Sequence, residues 1–66
     1  MAAVLSDWRE LQSGEFVNIV RNAKVIARGR VEEVSRSGGV LWIGNEESET
    51  QTFLKSDGVS VRRRRS

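Results

Sequence analysis

Apolar residues along most of this chain recur with a period of two, in short runs broken by glycine, asparagine and serine. That period is the signature of half-buried strands. The first such run spans 15–21, where Phe16-Val17-Asn18-Ile19-Val20 is rich in β-branched and aromatic residues. A polar break at Asn22 favours a hairpin, because asparagine tolerates a left-handed turn. A second strand is predicted over 25–35. Val25, Ala27, Gly29 and Val31 alternate on one face and Arg28, Arg30 and Glu32 on the other. After Val31 the next apolar residue is Val34, so the alternation slips by one, which predicts a bulge or sharp bend. Gly29 is the natural bend residue. Ser37-Gly38-Gly39 reads as a hairpin turn. The strand predicted over 39–44 is apolar on both faces at 40–43, which asks for cover on both sides or for an interface. An acidic loop at 45–49 precedes a strand over 50–55. Ser56-Asp57-Gly58 then turns the chain into a short strand over 59–61.

Before the strands the period is three. Leu5, Trp8 and Leu11 share one face of a helix predicted over 3–12. Ser6 or Asp7 caps it, with Glu10 at capping-box-like spacing, and Gly14 ends it. Trp8 is its largest anchor and is expected to pack in the core or at its rim, with a stacking role as the alternative.

Five short strands joined by tight turns leave two open edges unless the sheet closes. A bent second strand serves both halves of a small barrel. The expected fold is therefore mainly β: a short N-terminal helix and a five-stranded, strongly bent antiparallel small barrel. It forms one domain over 1–61, followed by a basic tail at 62–66.

The spacing around the bent strand resembles the Sm-like family of SH3-like small barrels. Its first motif is glycine, any residue, aliphatic, two residues, aromatic or aliphatic, aspartate, three residues, asparagine. Gly29, Val31 and Val34 fall on its structural positions, while Ser35 stands where aspartate is expected and Gly39 where asparagine is expected. The second motif is aliphatic, basic, glycine, two residues, aliphatic. Leu54, Lys55 and Val59 match it, and Ser56 replaces the glycine. The resemblance implies the barrel. The two departures fall on positions that in the family orient and contact an RNA base, so they weigh against family-type uridine recognition.

Composition narrows the chemistry. A chain of 66 residues makes one domain, and at that size it buries only about 60% of its unfolded surface. It has no cysteine and no histidine. No disulfide or zinc–thiolate site is available, and the commonest general base is missing. The serines have no histidine to activate them. Glu32 and Glu33 are adjacent and point to opposite faces of a strand. Glu46, Glu47 and Glu49 lack the spacing of a calcium loop, and Gly38-Gly39 matches no phosphate-binding fingerprint. No enzyme activity, cofactor or metal is expected. No apolar run approaches a membrane span, and the N-terminus lacks the regions of a signal peptide. The expected location is the cytoplasm.

What remains is basic. The chain carries 11 Lys+Arg against 9 Asp+Glu, and four of the eleven are Arg62, Arg63, Arg64 and Arg65. The body without them is slightly acidic. Such a run attracts polyanions without reading sequence, or serves as a solvated end. Arg21, Lys24, Arg28 and Arg30 fall in the first half of the sheet, and pairing would gather them into one patch. With the arginine run they form the candidate nucleic-acid site for RNA or DNA, and Phe16, Trp42 or Phe53 are candidate stacking residues if exposed near it. The acidic loop and the arginine run can also pair and mask one another. The competing reading is a protein-interaction or homo-oligomeric module acting through edge strands.

Overall fold

The computed structural model describes residues 4–47 and 49–64. Within them six strands form one antiparallel sheet: β1 (Val4–Leu5), β2 (Phe16–Arg21), β3 (Lys24–Val34), β4 (Val40–Gly44), β5 (Thr50–Leu54) and β6 (Ser60–Arg63). Their order across the sheet is β1-β6-β2-β3-β4-β5. The chain is mainly β, as its alternation predicts, and the bounds of the five expected strands agree within one residue except at the end of β6, which runs two residues further. The helical residues described are two 3-10 turns, Trp8–Glu10 and Lys55–Asp57. No described helix is long and apolar enough to cross a membrane.

The helix expected over 3–12 is replaced by strand β1 and the turn Trp8–Glu10. So short a segment cannot offset helix nucleation alone. Its backbone finds partners in β6 instead, through Val4↔Arg62 and Leu5↔Val61. The three-residue spacing still places Trp8 and Leu11 in the core, since a 3-10 turn has that period. Asp7 supplies the cap by accepting the Arg9 amide at 3.0 Å.

The core comprises Trp8, Leu11, Val17, Ile19, Val31, Leu41, Ile43, Val59 and Val61. Trp8 is only 1% exposed. The smallest dimension of the molecule is 19 Å, about twice the roughly 10 Å spacing of packed sheet layers. The sheet therefore curls around its core. Among the described residues the hydrogen-bonded ladder does not close into a barrel: β1 and β5 are its two edges and do not pair with each other.

Two irregularities bend β3. The register shifts between Val31 and Glu33 opposite β4, which leaves Glu32 as the extra residue, where the sequence alternation slips. A second shift, opposite Ile19 and Val20 of β2, leaves Ile26 as the extra residue. Gly29 lies between them, and a Cβ there would meet the Gly44 carbonyl oxygen at 2.6 Å. The β3–β4 turn is fixed by Ser35, whose Oγ accepts the amides of Gly39 and Val40 at 3.2 and 3.1 Å. Gly38 takes φ 77° there.

Candidate nucleic-acid interface

Cross-strand partners share a face of the sheet, so the pairing register decides which cations meet. Asn18 of β2 pairs with Arg28 of β3 on one side and with Arg62 of β6 on the other. One rung along, Phe16 pairs with Arg30, and the Arg64 amide donates to the Phe16 carbonyl at 2.9 Å. Two rungs result, Arg62–Asn18–Arg28 and Arg64–Phe16–Arg30. Val17 and Ile19, on the opposite side of β2, are fully buried. The four arginines therefore lie on the outer face, and all four are exposed.

The arginine run is thus mostly not a tail. Arg62 and Arg63 belong to β6, and Arg64 is bonded to β2. Alternation turns Arg63 the other way, where it pairs with Val17. Its Nε sits 2.9 Å from Glu15 Oε1, and its Nη2 donates to the Glu10 carbonyl at 2.7 Å. Arg63 is a tie between β6 and the loop before β2, and it does not join the outer cluster. Arg65 lies outside the described residues.

Arg21 and Lys24 also leave the cluster. They pair with each other beside the positive-φ turn Asn22-Ala23. Along β2, Phe16 and Asn18 face outward, so alternation puts Arg21 on the other side. The extra residue Ile26 carries the same inversion into β3. The expected patch of Arg21, Lys24, Arg28 and Arg30 is therefore split, and Arg28 and Arg30 meet Arg62 and Arg64 instead.

Among the aromatic candidates, Phe16 alone combines exposure with this cluster. It is 47% exposed, and the Arg30 guanidinium carbon lies 4.8 Å from its ring centroid. Phe53 packs against the core, and Trp42 is half-buried on β4 between Glu33 and Thr52. Beside Phe16 runs a cleft lined by Arg28, Arg30 and Arg64 together with Glu32, Glu46 and Glu47. Asn45 holds the acidic loop in shape, its Oδ1 accepting the amides of Glu47 and Glu49 at 2.9 and 3.0 Å. The described ion pairs are Arg9–Asp7 and Arg63–Glu15, so no arginine of the cleft pairs within 4.0 Å with a described carboxylate.

Sequence reasoning missed Asn18 and the glutamates of the cleft. One signal was available. Phe16-Val17-Asn18, Arg28-Gly29-Arg30 and Arg62-Arg63-Arg64 each place two polar or exposed residues one position apart, which commits both to one face. Among the described residues no group of three or more acidic side chains gathers where a metal ion would sit. Comparison with protein-family models, with curated proteins and with solved structures finds no match to this chain.

Proposed function

We propose that this chain is a non-enzymatic nucleic-acid-binding module, an Sm-like or SH3-like small barrel in architecture, which holds phosphates on the outer face of β6, β2 and β3. The observation that carries it is the pair of adjacent rungs that sets Arg62 and Arg28 beside Asn18 and Arg64 and Arg30 beside the exposed Phe16 ring. Along β2, along β3 as far as Arg30 and along β6 there is no carboxylate. Arginines spaced across neighbouring strands suit a phosphate backbone, whose charges they neutralise with release of its condensed counterions. The barrel reading draws support from the bulges that bend β3 and from the single core enclosed by the curled sheet. The cysteine-free composition suits a reducing compartment such as the cytoplasm.

The test is a salt titration of oligonucleotide binding to the full chain. If all four arginines contact phosphates, log K against log salt falls with a slope of about −3 for a single strand. The double variant Arg28→Ala/Arg62→Ala halves that slope. No binding at low salt, or binding insensitive to salt, rejects the proposal.

A second reading rests on β5, whose outer edge is unpaired in the sheet and whose Leu54 is 42% exposed. Such an edge can accept a strand from a partner or a second copy. Sedimentation across micromolar concentrations tests the self-assembly form of that reading, and a strict monomer removes it.

A further inference from the structure

We infer that the cleft beside Phe16 binds an unpaired nucleobase whose edge is rich in N–H donors, guanine first among them. The inference rests on the nucleic-acid reading and narrows its ligand to single strands with a base preference.

Phe16 is an exposed ring on a strand whose inward neighbours are already fully buried, so the core has no need of it. Arg30 lies against the ring and steadies it. An exposed aromatic among phosphate-binding cations is a stacking platform for a base. Phosphate binding alone leaves the acidic part of the lining unexplained. Glu32, Glu46 and Glu47 border the same cleft as the arginines, and each repels a phosphate. No cleft arginine pairs with a described carboxylate within 4.0 Å. Among the described residues both signs of charge therefore lack an ion-pair partner, and the ligand that suits them carries an anionic backbone and a donor-bearing base.

The carboxylate chemistry chooses among bases. An ionised carboxylate only accepts hydrogen bonds. Guanine presents a ring N–H and an amino group side by side, matching the two oxygens of one carboxylate in a charge-assisted pair. Adenine and cytosine offer their amino group beside an acceptor nitrogen. Uracil offers one N–H between two carbonyls that a carboxylate repels. Glu32 is already oriented, its Oε1 accepting from the Thr50 hydroxyl at 3.0 Å. These base edges are free only when the base is unpaired.

The test uses the full chain and short fluorescent uridine-rich strands that differ only at a central base, in RNA and DNA versions, beside a duplex. Anisotropy at one low salt concentration should rank the guanine strand about tenfold above the all-uridine strand in at least one of the two versions. Phe16→Ala should lower single-strand affinity about tenfold without changing the salt slope, and Phe16→Trp should restore it. Glu32→Gln/Glu46→Gln/Glu47→Gln should erase the guanine preference while tightening the uridine strand. If those changes tighten every strand equally, the glutamates merely screen the arginines and the inference falls. It falls also if Phe16→Ala binds as the parent does. In both cases salt-dependent binding would persist and the broader nucleic-acid reading would stand, whereas loss of all salt-dependent binding removes both.

Discussion

Arg30 and Phe16 are directly paired across β3 and β2, and the guanidinium carbon of the first lies 4.8 Å from the ring centroid of the second. The pair joins the only exposed aromatic of the described arginine face to one of its cations. A guanidinium over an exposed ring contributes about 0.5–1 kcal/mol. Arg30→Ala should therefore cost folding stability of that size, read from urea unfolding. It should also reduce the salt slope of oligonucleotide binding by about one phosphate contact. Arg30→Lys should retain the slope and lose the ring contact, because an ammonium lacks the planar face.

Neighbouring arginines should behave oppositely. Arg63 ties β6 to Glu15 and to the Glu10 carbonyl, whereas Arg62 points to the outer face. Arg63→Ala should lower stability by about 1 kcal/mol, the upper range for an exposed ion pair, and leave the salt slope unchanged. Arg62→Ala should reduce the slope and leave stability within about 0.5 kcal/mol of the parent. Equal effects from the two substitutions would contradict the strand assignment of the run.

Gly29 leaves no room for a side chain. An added Cβ would press on the Ile43 side chain and on the Gly44 carbonyl oxygen, and the carbonyl belongs to the paired β4 backbone. Gly29→Ala should destabilise the fold by about 1–3 kcal/mol through overpacking, seen as a lower urea midpoint with unchanged m-value.

Asp7 gives the N-terminal segment a pH dependence. Hydrogen bonds from the Arg9 side chain and then from the Arg9 amide lower its carboxyl from an ordinary 3.8 to about 2. The folded state therefore favours the ionised form. Its contribution is fully present above the ordinary carboxylate value and is lost as pH falls through about 2. The stability difference between the parent and Asp7→Asn should be constant from neutral pH to about 4 and shrink below it. Carboxyl chemical shifts give the titration directly, and an Asp7 midpoint near 3.8 would contradict the Arg9 contact.

Much of the sheet was legible because burial on one face imposes alternation. The slip between Val31 and Val34 marked the bulge at Glu32. The second bulge was hidden because Val25 and Ile26 are both apolar and both exposed, so burial imposes no pattern on them. That bulge turns Lys24 away from the face of Arg28 and Arg30, beside Arg21, which alternation along β2 already places there. The arginine run read as a tail because arginine carries little strand preference of its own. Pairing with β2 and β1 overrides that preference. Leu5, Trp8 and Leu11 were read as one packing face, and Trp8 and Leu11 are buried in the core, yet their three-residue spacing could not distinguish one 3-10 turn from a longer helix. The acidic wall was seen only as a loop, since nothing in its composition reveals that it folds back beside Phe16.

The run from 62 to 65 is degenerate in identity, so a slip of β6 by one position would still present arginine at most of its places. What prevents it is upstream. Val59 and Val61 are buried in the core, and a slip would expel both into water. Two valines thus set the phase of the arginines that follow, determining which face the exposed side of the sheet and which becomes a clasp. A change at Val61 that loosened this anchor would rearrange the arginine face without altering a single charge.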